Sequence, residues 1–310
     1  MRKIDEKIKL HFLASLSWAD DSLLGLEVAR GIKIEKWSIE RFIAIMKDFT
    51  SFDENGCREV LRDQFCLDEN EKSVYVISGS YNVKITDEKP LLPHIRKLEA
   101  EGYGGYIRKA KNGIRLMRLY KEGSLGIPDI YIYRKNRNVI DLEINYSNLR
   151  LHGPPEVQYS LTATEKEDIG RFLKRHSLPF SPPYIQLAFD NFDLSFNNQH
   201  LNLDFLCLMI AAEVLFNDGS YELKYRITRG MAILLGTNKT ECHEIYSNMK
   251  KLYDKRSRLV HTGKASISLT DVILLRRYLR NSIKELLRLR LSKTELSKRL
   301  METGFGQSLE

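Results

Sequence analysis

Two periods of apolar residues divide this chain of 310 residues. As far as about residue 176 the apolar positions alternate with polar ones or fall in short runs bounded by Gly, Asn and Asp, which is a strand pattern. The spacing predicts a strand over 9–17, a helix over 38–48, and a β-rich run over 73–85 that carries Val74, Val76, Val83 and Ile85 and breaks at Gly79. A short helix is expected after Pro90. Lys111-Asn-Gly113 predicts a hairpin between 106–107 and 114–120, because both turn positions of Asn-Gly tolerate positive φ. A second hairpin is expected from 130–133 and 139–146. Thr164-Glu-Lys-Glu167 has the form of a capping box, so a helix should start there and run to Arg175. Gly102-Tyr-Gly-Gly105 lacks the Lys-Ser/Thr ending of a phosphate-cradling loop and is expected to be a turn.

From residue 184 onward the period becomes helical. Helices are expected over 184–196, 201–217, 221–235, 239–261 and 269–290, with 292–301 continuing or bending away. Between the two patterns, Ser177-Leu-Pro-Phe-Ser-Pro-Pro183 has three prolines in five residues, which cannot continue a helix or sit in a central strand. The fold class is therefore α+β. A mixed α/β domain with antiparallel strands over 1–176 is joined by a Pro-rich linker, 177–183, to an all-α bundle over 184–305.

Composition narrows the class without naming a chemistry. With 43% hydrophobic and 29% charged residues, the chain resembles an ordinary globular protein. Its charged start and brief apolar runs exclude a signal peptide or membrane anchor, so a cytoplasmic location is expected. Cys57, Cys66, Cys207 and Cys242 are scattered without metal-ligand spacing, so reduced thiols and no structural metal are expected. Cys242-His243 lacks a second pair and is expected on a helix surface. Net charge is +8, but residues 252–300 hold thirteen Lys and Arg against four acidic residues, a net of +9, so the remainder sums to −1. A localised basic region is the electrostatic footprint of a nucleic-acid contact; a solvated helix face is the commoner cause of a charge run.

Inside that region lies the stretch with the most chemical content, where Arg256 precedes His261 by five residues. On one ideal helix the two are about 140° apart and about 7.5 Å apart along the axis, so they can only converge on a shared cleft. His261 falls in the last turn before Gly263, whose carbonyl end favours a cationic imidazole, and Arg256 offers a planar fork of donors suited to a phosphate. Leu252-Tyr-Asp-Lys-Arg-Ser-Arg-Leu-Val-His261 resembles the R-x4-H signature of the HEPN superfamily, more narrowly the Apea-like HEPN domains. Ser257 fits the polar residue that commonly follows the Arg. Two upstream segments, 209–216 and 225–236, fall in the expected order, and the resemblance covers roughly residues 184–291.

What the resemblance implies is a metal-independent endoribonuclease without cofactor, acting on RNA through the 2′-hydroxyl, in prokaryotic phage defence or stress response. His261 would transfer protons and Arg256 would stabilise the phosphate, in a homodimer built on the motif helix, with a phage-derived trigger or an antitoxin as partner and no membrane. Glu213 interrupts an apolar run and needs a partner; the resemblance places such an acid near the Arg and His, and Arg229 on the next helix is the other candidate. Arg276, Arg280, Lys284 and Arg288 recur at intervals of four, the form of a ridge that could track phosphates, and Arg258 and Lys264 flank the motif. Two alternatives stand beside this: a non-catalytic binding or regulatory module of the same fold, and metal-dependent cleavage at Asp129, Asp141 and Glu143. The last set is similar to the core of PD-(D/E)xK nucleases but has Asn145 in place of the lysine.

Overall fold

The structure is a computed structural model that describes residues 6–49, 52–65, 72–85, 104–136, 139–147, 157–197, 200–219, 222–264 and 266–309. The architecture is α+β. Contacts divide the chain into two units, the first ending at His176 and the second starting at Ser177.

The first unit is built on a six-stranded sheet. Its strands are β1 (Glu6–Leu16), β2 (Glu27–Ala29), β3 (Ile32–Ser38), β4 (Ser73–Ile85), β5 (Asp129–Asn136) and β6 (Val139–Ser147), in the order β2-β3-β4-β1-β5-β6. Every pairing between them is antiparallel. Strand β1 is central and buries both faces: Leu10, Phe12, Ala14 and Leu16 point one way, Leu13 and Ser15 the other. Helices α3 (Gly104–Tyr120) and α4 (Ala163–Arg175) cover the first face through Ala110, Ile114, Met117 and Ile169. Helices α1 (Ile39–Met46) and α2 (Glu54–Phe65) cover part of the second through Phe42, Ile43, Cys57 and Leu61.

Four local expectations are corrected here. The Asn-Gly hairpin is absent: Asn112 and Gly113 lie in the middle of α3, where a Cβ on Gly113 would meet the Val28 carbonyl oxygen at 2.5 Å. The glycine serves close approach of a helix to β2, not a turn. Strand β4 runs unbroken through Gly79, and Gly104-Gly105 begin α3 rather than forming a turn. The capping box is Thr162 with Glu165, two residues earlier than Thr164 with Glu167. The helix after Pro90 lies outside the described residues.

The second unit is helical: α5 (Pro183–Leu194), α6 (Leu201–Phe216), α7 (Leu223–Leu235), α8 (Lys239–Thr262), α9 (Leu269–Leu289) and α10 (Lys293–Glu302). Pro183 is the first residue of α5 rather than part of a break, since the amide it lacks has no intrahelical partner there. Helix α6 is apolar nearly all round, and it packs against α5, α7, α8 and α9. No helix among the described residues is long and apolar enough to cross a membrane.

Candidate functional site

Helix α8 carries the pair predicted from sequence, and its two ends differ in support. Cys242, Ile245, Met249 and Leu252 bury one stripe at helical spacing. Beyond Leu252 the helix continues for ten residues, none of them buried, and Val260 is 50% exposed. Asn238 caps the start by accepting from the Glu241 amide; Gly263, at φ 65°, closes the end, its amide donating to the Leu259 carbonyl. Cys242 is fully buried with its thiol toward the Gly236 carbonyl, which corrects its expected surface position. His243 is exposed, its ring edge-on to Phe305 at 5.0 Å. Cys57, Cys207 and Cys242 are not joined in disulfides.

Arg256 is half-buried, and its guanidinium lies 3.1 Å from Oε1 of Glu213 on α6. Glu213 Oε1 has no hydrogen-bond partner, so the contact is a charge pair rather than an aligned hydrogen bond. Arg229 is not the partner of Glu213; it reaches the carbonyls of Leu300 and Thr303 instead, at the end of α10. Tyr253, one turn before Arg256, has its ring 5.9 Å from the guanidinium carbon. Burial pushes the Tyr253 phenol above its ordinary range, opposed by Arg256 and Lys224 and reinforced by Glu213. Lys224 on α7 pairs with Asp254. Sequence reasoning missed Lys224, because only packing of α7 against α8 brings it to Asp254 and near Tyr253.

His261 is exposed in the last turn of α8 and has no hydrogen bond, ion pair or ring contact among the described residues. Within one chain nothing joins it to Arg256. Ser257 is half-buried, and Arg258 and Lys264 are exposed with their side chains unpaired among the described residues. Lys255 donates to Asp271 at 2.6 Å, which ties the motif helix to the start of α9. Burial would raise the Asp271 carboxyl, but Lys255 and Ser268 hold it below its ordinary value of 3.8. A cavity of about 200 Å³ lined by Phe216, Arg226, Arg229 and Leu300 holds neither Arg256 nor His261.

The expected basic ridge is corrected. Arg276 is 8% and Arg280 4% exposed. Arg276 donates to Ser195 Oγ at 3.0 Å and to the Ser195 carbonyl, pairs with Asp204 at 3.3 Å, and lies over the Phe196 ring. Arg280 sits 5.5 Å over the Phe192 ring. Burial, and then Arg280, push the Lys284 ammonium below its ordinary range, and Arg288 pairs with Glu285. Four packed neighbours, α5 to α8, surround so much of α9 that arginines outside the apolar stripe are enclosed with it.

The candidate acidic metal set does not come together either. Asp129 is opposite Ser147 and Tyr133 opposite Glu143, so four strand positions, about 14 Å, separate Asp129 from Glu143. Asp141 lies farther on, at the register shift near Arg134 and Lys135. Among the described residues no group of three or more His, Cys, Asp or Glu is placed to hold a metal ion. Comparisons with family models, with curated proteins and with solved structures find no match to this chain.

Proposed function

We propose that this chain is a metal-independent endoribonuclease of the HEPN type, Apea-like, that cleaves RNA through its 2′-hydroxyl in prokaryotic phage defence or stress response. The observation that carries this reading is the asymmetry of α8. Arg256 is held against Glu213 of the central helix α6, while His261 stands free in the last turn with Arg258 and Lys264 on either side. A held guanidinium can meet a phosphate in a fixed pose, and a free imidazole can give or take a proton. The exposed last turn of α8, with Val260 50% exposed, supports a second copy packed here, which would bring two Arg256-His261 pairs into one cleft.

In such a cleft one His261 takes the proton of a ribose 2′-hydroxyl as its oxygen attacks phosphorus, and the P–O5′ bond breaks. The other His261 returns a proton to the departing 5′-oxygen, and Arg256 stabilises the charge gathered on the phosphoryl oxygens. The products carry a 2′,3′-cyclic phosphate and a 5′-hydroxyl. One observation favours a non-catalytic RNA-binding module as the second reading: a single chain does not bring Arg256 and His261 together.

Cleavage of a labelled single-stranded RNA in EDTA decides between them. The wild-type chain is expected to cut and leave cyclic phosphate ends, with His261→Ala and Arg256→Ala each slower by about a hundredfold or more. Wild-type rates in His261→Ala, or cutting that requires magnesium, would overturn the proposal; no cutting by any chain would support the binding module.

A further inference from the structure

Among the described residues the second face of the sheet is only partly covered, and the rest has a chemistry of its own. Strand pleating puts Lys33, Glu35 and Trp37 of β3, Ser78 and Ser80 of β4, His11 of β1 and Tyr133 of β5 on the side that α1 and α2 pack against. Those helices reach Trp37, Val74, Val76, Leu13 and Tyr131. Beyond them lies a cavity of about 460 Å³. In register, Lys33 is opposite Ser78, and Ser80, His11 and Tyr133 form the next row.

Two flat groups border this cavity, each backed by an aromatic ring. The His11 imidazole stacks on Tyr133 with centroids 5.2 Å apart and planes 18° from parallel. The Arg41 guanidinium carbon lies 3.5 Å from the centroid of Trp37. Trp37 is fixed in turn, since its Nε1 donates to Glu35 Oε2 at 2.7 Å. Lys33 is exposed and has no hydrogen bond or ion pair among the described residues, and Arg41 has its contact with Trp37 but no ion pair. Two cations without ion pairs among the described residues, the Glu35 carboxylate and two serines therefore share one opening with two flat groups held on aromatic rings.

We infer that this cavity binds a mononucleotide, its phosphate on Lys33 and the serines beside it and its base against the Arg41 or His11 plane. Backed imidazole and guanidinium planes suit a nucleobase, because stacking needs a flat partner already held in place. A lysine beside two serines on neighbouring strands suits a phosphate, and the volume falls within the range of small-molecule sites. Glu35 also lines the cavity and offers a carboxylate acceptor to an exocyclic amino group, which favours AMP, GMP or CMP over UMP. The inference is independent of RNA cleavage by the helical unit.

Calorimetric titration of the full chain with each of the four 5′-mononucleotides, ribose 5-phosphate, inorganic phosphate and adenosine tests it. At least one nucleotide is expected to bind one to one with a Kd below about 1 mM, about tenfold tighter than ribose 5-phosphate or phosphate. Lys33→Ala, Arg41→Ala and His11→Ala should each weaken that binding about tenfold, whereas Arg256→Ala and His261→Ala should leave it unchanged. Lys33 and Arg41 are exposed, so their substitution should keep the native circular-dichroism spectrum even if His11→Ala disturbs the strand. Absence of binding by all four nucleotides, equal binding of ribose 5-phosphate, or wild-type affinity in folded Lys33→Ala and Arg41→Ala would each overturn the inference.

Discussion

At the scale of single residues, burial separates arginines that look alike in sequence. Arg276 joins the end of α5 to the start of α6 through Ser195 and Asp204, and removing it takes the guanidinium from the buried Asp204 carboxylate. Arg276→Ala should therefore cost about 3–5 kcal/mol in urea unfolding. Arg258→Ala and Lys264→Ala should change stability by less than about 0.5 kcal/mol, yet lower RNA affinity and flatten its dependence on salt in a filter-binding titration. Glu213 shows how far one residue can be read alone. A carboxylate inside an apolar run announces that it needs a partner, but the choice between Arg229 and Arg256 depends on which face of α8 meets α6.

Helix ends supply the testable features at the next scale. Arg290 closes α9 in the left-handed region, at φ 54°, where a Cβ is costly. Arg290→Gly should stabilise the chain by about 0.5–1 kcal/mol, read from the urea midpoint. Lys293, at the start of α10, donates to the carbonyls of Val214 and Leu215 at the end of α6, at 2.7 and 2.5 Å. Burial pushes its ammonium from 10.5 down to about 8. The unfolded chain then holds more protons than the folded one between those values, so the contribution of Lys293 to stability increases as pH rises from about 8 toward 10.5. Relative to Lys293→Met, the wild-type chain should gain on the order of 1 kcal/mol over that interval, measured by urea unfolding at successive pH values; an unchanging difference would exclude the shift. Helix limits in the second unit were legible to within two residues at most ends, since Asn238, Ser268, Ser292 and Gly263 are strong local caps. Asn112-Gly113 misled for the converse reason: its turn preference is local, and packing of α3 on β2 outweighs it.

For the molecule as a whole, the end of α8 makes assembly the decisive property. A helix whose last three residues, Val260, His261 and Thr262, are all exposed has surface left to cover. A dimer is expected by light scattering at micromolar concentration, and Val260→Asp should shift it toward monomer while leaving the helical circular-dichroism spectrum intact. Loss of cleavage in step with loss of the dimer would tie activity to a shared cleft. A wild-type monomer with full activity would remove it.

The sequence by itself determined the α+β class, the change of period near residue 177, the helices of the second unit and the placing of Arg256 and His261 on one helix. Each of these follows from local spacing, capping or proline chemistry, which act over a few residues. Only the tertiary structure decided that Glu213 faces Arg256, that Arg276 and Arg280 are enclosed, that Asp129 and Glu143 stand apart, and that Lys33, Arg41 and His11 line one cavity on a sheet face. Those outcomes depend on strand register and on which helices share a neighbour, and burial at one position is set by residues far away along the chain.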